Sequence, residues 1–573
     1  MASCRVGPVE SLDRRIHPLS DSAVRSIFAH AATPSTLTPS QFLAYFKRFG
    51  VPNLASKARR MTEQAARANA DPRYLVVWFL EGGWLSYDMF SPVNTPNHVL
   101  NRLSNVSEER YRVLKWDQDD FYRIKTHGPI RYGYLAEDGK ELFKDMSIVA
   151  SMSTGTFHSG ERLKSHMGEY RLELSKEREP DERSINQAFA EAVGQSCLLP
   201  NIAWHWWLSD GELNEAQYTG RRGFYHALGP VWAHTIYGGT PANLRRFLSR
   251  MREEAASPAF RAVQNFLDES HRAVLKDDHV ATVKSYVAAL DAYKSLSNMG
   301  GRLDGAQIAN LFRDDALRER FKIAPEDELM TYSSVNGNKA RTKYAPMTNV
   351  QAMMAYELMR ENLSCTFWIE SRDIRLFDSH RNRGHLWNKE GKPQGQTDQT
   401  QMMRRHLWDP LKSFVELLKN TPAKGTNKSL WDCTTILVTS EFGRSIHGDV
   451  KDIVKMNLPE EQKQQMINDQ DICQHWPVTS CFFMGGTVAG NKQFGGAGEK
   501  TLNPIPLLPD GSMDPAFDPL TGELKEGAKA NPRSFVPNHG HAYSTALSLS
   551  GIDPKGKGRN RAPALGFIAR TGL

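Results

Sequence analysis

Asp378, His380 and His385 lie close together in FDSHRNRGHLW, just past the apolar run Cys365–Ile369. Carboxylate and imidazole suit a divalent ion such as zinc, manganese or iron, and an Asp-x-His step puts both side chains on one side of an extended segment. The plainer alternative is a polar loop with a hydrogen-bonded histidine. A second candidate is Glu441, which follows the apolar run Thr434–Val438 and the polar Thr439 and Ser440, and precedes Phe442, Gly443 and Arg444. A carboxylate just past a buried strand can ligate a metal or act as an acid or base, because ligands collect beyond the carboxyl ends of strands in open α/β sheets. An ion pair with Arg444 in a tight turn reads the same residues equally well. His475 precedes the apolar run VTSCFFMGG, and His158 sits in a Ser/Thr/Gly loop after a short strand near Ser147. A lone loop histidine can also be simply solvated. Asp88 follows Glu81-Gly82-Gly83-Trp84, where it could equally cap a turn.

The elements that must position these residues are apolar runs of strand length. Tyr74–Leu80, Cys365–Ile369 and Thr434–Val438 are continuous and rich in β-branched or aromatic residues, and each ends in a polar turn. Such runs fit parallel strands buried on both faces. Between them, apolar residues recur at three- and four-residue spacing in helices: 184–195, a helical block at 240–325, 350–363, one long helix over 400–420, and a last helix opened by His539 and His541. The expected architecture is α/β: one large α/β/α sandwich (71–573) with a mostly parallel central sheet, behind an N-terminal helical extension (1–70). Residues 495–540, dense in Pro, Gly and Asp, read as an irregular lid, and the glycine-rich GTVAGNKQFGG as a hairpin or loop over the site. The aromatic run AWHWWL, with Trp204, Trp206 and Trp207, suits a pocket wall or an interface.

Composition removes several classes. The net charge of +7 is small for 573 residues and the basic residues are scattered, which excludes a nucleic-acid-binding stripe. No apolar run approaches the roughly 18–20 residues of a membrane-spanning helix. The six cysteines show no CxxC spacing, and in a chain this large their number permits disulfides without arguing for them. The first thirty residues lack the apolar segment of a signal peptide, so the chain as written is expected to stay in the cytoplasm.

Taken in order, GGW with Asp88, a loop histidine after SIVASM, FDSH, VTSEFGR, QHWPVT and the closing STALSLSGID resemble a sulfatase-like family of unknown function in the alkaline phosphatase superfamily, often Tat-exported in bacteria. The similarity runs from about residue 74 to 555. It implies an alkaline-phosphatase-like α/β/α sandwich with a divalent metal (zinc, manganese, calcium or iron) at the strand ends. Asp378 and His380 match the family's Asp-x-His, His475 its later histidine, and Asp88 an acidic position after the first strand. Glu441-Phe442 stands where the superfamily carries a metal-binding Asp-His pair, so one ligand is lost. No C-x-P-x-R motif is present and Ser86 falls on no family nucleophile position. The expectation is therefore direct attack by metal-bound water on an anionic phosphate or sulfate ester, of a small molecule or a glycan. Glu441, Arg444 and His158 would be the catalytic set, with Arg444 forking the anion. The second class is a catalytically silent relative that works as a homo-oligomer or in a protein assembly.

Overall fold

Fourteen strands are described in a computed structural model that covers residues 71–92, 124–156, 158–169, 184–194, 197–204, 236–237, 239–256, 305–335, 340–371, 402–444, 457–462, 475–499, 501–557 and 560–571. In chain order they are β1 (Tyr74–Leu80), β2 (Lys125–His127), β3 (Ile130–Tyr132), β4 (Met146–Ser153), β5 (Asn201–Ala203), β6 (Ile236–Tyr237), β7 (Met330–Val335), β8 (Ala340–Ala345), β9 (Thr366–Ser371), β10 (Thr434–Ser440), β11 (Gly443–Arg444), β12 (His475–Trp476), β13 (Val478–Gly485) and β14 (Lys492–Phe494). Eight of them make one sheet, in the order β14-β4-β13-β10-β1-β9-β5-β6. β13 runs against β10 and β4, and every other neighbouring pair is parallel. The sheet is therefore mixed, with the three expected strands β9, β1 and β10 adjacent at its centre. Each is buried along its whole length, which is why their apolar runs show no polar alternation. The glycine-rich run after β13 supplies the edge strand β14 beside β4 instead of a loop over the site.

Helices cover both faces. α1 (His158–Met167), α2 (Ile185–Val193), α3 (Thr348–Arg360), α4 (Asp409–Asn420) and α5 (His539–Leu549) are the elements that matter here. Consecutive residues of a strand point to opposite faces, and β1 displays this directly. Trp78 packs edge-on against Phe414 of α4, with centroids 6.4 Å apart, whereas Phe79 meets His166 of α1 at 6.1 Å. α3 packs with α4 on the first face; α1, α2 and α5 pack together on the second. Ser184 caps α2 by accepting from Gln187 N, 3.1 Å away.

The long helix expected over 400–420 runs without a break from residue 402 to Asn420, with a π-helical turn at Arg404–Trp408 leading straight into α4 at Asp409. Pro410 has no N–H to offer the His406 carbonyl four residues back, and that carbonyl accepts instead from Trp78 Nε1 at 3.2 Å. Among the described residues, 495–538 form no helix and no strand, only isolated bridges such as Leu507↔Phe535.

The chain divides into two compact units, residues 1–70 with 242–311 and residues 71–241 with 312–573. In the first, the described residues are mainly those of the helices Pro241–Ala256 and Gly305–Asn310, where Arg245 Nη1 donates to Leu311 O at 3.1 Å. The second holds the sheet. The expected N-terminal helices, within residues 1–70, and most of the helical block fall outside the described residues, as do residues 205–207 of the aromatic run. Trp204 is buried, its Nε1 donating to Gly239 O at 3.0 Å. No helix among the described residues is long and apolar enough to cross a membrane.

Candidate active site

Strand register brings three glutamates to one face of the sheet. Phe79 of β1 stands level with Glu370 of β9 and with Thr439 of β10. Side chains repeat every two residues along a strand. Glu81, two past Phe79, and Glu441, two past Thr439, therefore project from the same face as Glu370, at the carboxyl ends of the three central strands. All three are buried.

Helix α1 lies on that face and brings the cation. His158, Arg162 and His166 are four residues apart, so they form a single stripe along the helix. Arg162 Nε donates to Glu441 Oε2 at 2.9 Å, and its Nη2 pairs with Glu81 Oε1. His166 stacks on Trp368, with centroids 3.6 Å apart, and Trp368 Nε1 in turn donates to Glu370 Oε2 at 2.9 Å. Glu370 is fixed along its backbone by Gln351, whose Oε1 accepts from Glu370 N and whose Nε2 donates to Glu370 O, each at 2.9 Å.

The charges settle unequally. Burial pushes the Glu441 carboxyl up, but Arg162 and His158 outweigh it and hold the group down at about 2. Glu81 goes the other way: burial, helped by Glu370 and Glu441, raises it well above the usual range despite Arg162. Burial opposes the charge on Arg162, yet the surrounding glutamates hold its guanidinium above its ordinary value. His166, buried and facing Arg162 and His539, is pushed well below. One guanidinium thus compensates the cluster, with Glu441 as its ionised partner.

The ionised Glu441 fixes a histidine at the edge of the cluster. His158 Nδ1 contacts Glu441 Oε1, which also accepts from Gly82 N at 3.1 Å. A carboxylate only accepts, so His158 Nδ1 carries a hydrogen. The ring retains 28% side-chain exposure where Glu441 has none. His475 lies across it, centroids 4.4 Å apart at 82°, with Nδ1 2.7 Å from Thr156 O. A carbonyl also only accepts, so His475 Nδ1 carries a hydrogen too. Phe442 backs both rings, at 4.3 Å from His475 and 4.8 Å from His158. His539 of α5 closes the inner side, with Nε2 2.9 Å from Glu441 O.

The structure brings Glu441, His158 and His475 together, and His158 is the first residue of α1 and not part of the loop before it. Asp378, His380 and His385 lie outside the described residues. Two expectations change. Arg444 does not pair with Glu441: its buried guanidinium donates to the carbonyls of Gly83, at 3.1 Å, and Gly82, because both glycines turn through positive φ (84° and 113°) and aim those oxygens inward. Asp88 sits in the short turn Ser86–Asp88, its Oδ2 accepting from Tyr134 Oη at 3.3 Å; the acidic residue that β1 delivers to the site is Glu81. Ser86 Oγ donates to Val478 O at 3.2 Å. Arg162, Glu81, Glu370 and His166 were missed. The four-residue spacing of His158, Arg162 and His166 was the available signal, together with a glutamate at the end of each central strand.

The short ladder of β11 and β12 ties these parts, pairing Arg444 with His475 and Gly443 with Trp476. A methyl group on Gly443 would run into the Val478 carbonyl, which is backbone and cannot swing away. Gly443→Ala should lower stability by about 1–3 kcal/mol, measured by urea unfolding, and should displace His475. An unfolding midpoint indistinguishable from wild type would show that the ladder yields where this packing says it cannot.

Among the described residues, no group of three or more His, Cys, Asp or Glu side chains is set to hold a metal ion. Glu441 itself fits poorly as a direct ligand, because Gly82 N and His158 take one oxygen and Arg162 the other. His475 contacts Thr156 O through Nδ1, so a metal would have to bind it at Nε2. No family model matches the chain, and no curated protein sequence matches it. The sulfatase-like resemblance thus rests on its motifs.

Proposed function

We propose that this chain is a hydrolase of phosphate or sulfate esters in which His158, oriented by Glu441, is the working base. One observation carries the reading: a partly exposed imidazole is held by a buried, ionised carboxylate at the carboxyl edge of the central strands. That arrangement fixes the tautomer and turns Nε2 toward a reacting proton, as general-base catalysis requires. Glu441 also stabilises the imidazolium that forms when Nε2 takes a proton from water. Arg162 acts from beneath by holding Glu441 in place. With Ser86 donating to a backbone carbonyl, the nucleophile in this reading is water.

The sulfatase-like reading adds a divalent ion, which His475 would hold through Nε2 together with Asp378 and His380. When bound, such an ion supplies Lewis acidity and lowers the pKa of water from roughly 15.7 toward about 7. Glu441 stands behind His158 as an orienting partner, the place a carboxylate commonly takes next to a working histidine.

The test is turnover of aryl phosphates and aryl sulfates by the full chain, with and without added zinc, manganese or calcium, alongside elemental analysis. The expected result is cleavage of one ester class, with Ser86→Ala retaining activity within about threefold, since it removes one ordinary hydrogen bond. Trapping a phosphoryl- or sulfo-enzyme on a serine or threonine would rule out water as the nucleophile. A wild type that binds no metal and cleaves no ester belongs to the silent, assembly-type class.

A further inference from the structure

The opposite pole of the sheet, where β1, β5, β9 and β10 begin, carries a pair of thiols. Cys197 precedes β5 by a short turn and Cys365 directly precedes β9. The two approach segments are already laced together. Leu199 N donates to Leu363 O at 2.8 Å and Thr366 N to Pro200 O at 3.2 Å, continuing the parallel register that pairs Asn201 with Thr366. The Cys365 thiol points at Pro200 O, 3.2 Å away, and Cys197 Sγ lies 4.0 Å from Asn362 Oδ1. Cys197 N donates to Gly194 O at 3.0 Å. Gly194 also packs against the other thiol, where even a methyl group would come within 3.1 Å of Cys365 Sγ. Both residues are buried, at 4% and 2% exposure, in segments held by backbone hydrogen bonds.

We propose that Cys197 and Cys365 form a dithiol modification site that closes to a disulfide by exchange with a small disulfide of the glutathione type. A disulfide needs sulfurs that can reach about 2.05 Å with little backbone movement, and Cys197 and Cys365 stand on adjoining, hydrogen-bonded segments with Gly194 against both. The exchange balances in two steps. One protein thiolate attacks a sulfur of glutathione disulfide, forms a mixed disulfide and expels a glutathione thiolate. The second protein thiolate then attacks the protein sulfur of that mixed disulfide, closes the Cys197–Cys365 bond and expels the second glutathione. Two protein thiols are oxidised, one glutathione disulfide is reduced to two thiols, and the two protons pass to the leaving thiolates. Burial raises the Cys365 thiol well above its usual pKa and keeps the thiolate scarce, so closure is slow and follows local opening. The bond would staple β5 to β9 far from His158, making this part of the fold firmer in an oxidising compartment than in a reducing one.

The experiment equilibrates the native full chain in glutathione buffers from reducing to oxidising, blocks remaining thiols, digests without reduction and maps the linked peptides. The expected product is a Cys197–Cys365 peptide pair, with the thermal unfolding midpoint raised by several degrees and restored by reductant. Cys197→Ser and Cys365→Ser should each abolish both the link and the shift. Cys481, buried within β13, should stay free of glutathione and so report that the sheet remained folded. Recovery of Cys197 and Cys365 as free thiols or as unclosed glutathione adducts would overturn the proposal. So would links to other cysteines, or closure only when Cys481 is also modified.

Discussion

Replacing Arg162 by methionine should cost the folded state about 3–5 kcal/mol near neutral pH, the usual range when one partner of a buried ion pair is removed. The guanidinium is the one cation paired with both Glu81 and Glu441 among the described residues. Methionine keeps the aliphatic packing and deletes the charge. The loss should depend on pH in a defined direction. In the wild type, Glu441 is held at about 2, below its unfolded value near 4.5, so it contributes stability above pH 4.5 that disappears as the pH falls toward 2. A shift of that size corresponds to about 3 kcal/mol. Without Arg162, only His158 and Gly82 N oppose burial, and the Glu441 pKa rises from its wild-type value. Its stabilising contribution above pH 4.5 then shrinks. The gap between wild type and Arg162→Met should therefore widen as the pH rises from 2 through 4.5. Urea unfolding across that range tests the claim, and a gap that is flat with pH, or below about 1 kcal/mol throughout, would count against a charge-compensated cluster. Glu81, whose raised carboxyl has the opposite sign, supplies the contrast. Its isostere, Glu81→Gln, should be tolerated better than Glu441→Gln, because an amide resembles the protonated acid and leaves no donor facing the Glu441 side of Arg162.

His158→Gln should lower kcat/KM for the ester that the wild type cleaves by about 10²–10⁴-fold, the usual contribution of a positioned base. The fold should be nearly unaffected, since the ring is partly exposed and Glu441 keeps Arg162 and Gly82 N as partners. Glu441→Gln should lose activity by a similar factor for a different reason: its amide N–H would face the Arg162 donors or the His158 Nδ1–H, and either conflict turns the imidazole away. Nitrogen NMR of the histidine rings separates the two effects. Wild type should show His158 protonated at Nδ1, and Glu441→Gln should lose that preference. If His158→Gln retains full turnover, the base lies elsewhere and the proposed function fails at its central residue, whatever the fate of the fold.

The strands at the centre of the sheet were legible because burial on both faces leaves nothing to alternate: YLVVWFL and TTILVTS read as core from composition alone. Glu441 stood out as a carboxylate directly after such a run, and His158 and His475 as histidines at a boundary between a polar stretch and a packed element, but each had an equally plain structural reading. The helix over 400–420 was legible from its apolar period, whereas the π-turn ahead of Pro410 was not.

What the sequence determined by itself was therefore one-dimensional: which runs are buried, where they stop, and which polar residues stand at those stops. Tertiary structure decided which of those residues meet. Arg162 lies 279 positions from Glu441, and no local pattern in a polar helix says which carboxylate it will face. Glu370 sits within a strand, and only the register with Phe79 puts it level with the site. Arg444 looked free to hold an anion until the turn at Gly82 and Gly83 aimed its carbonyls at the guanidinium. In each case the deciding quantity was a distance between segments remote in the chain, set by strand pairing and by the seating of α1 on the sheet. Buried charge makes such distances matter, because a carboxylate removed from water must find its cation within a few ångströms or give up its charge.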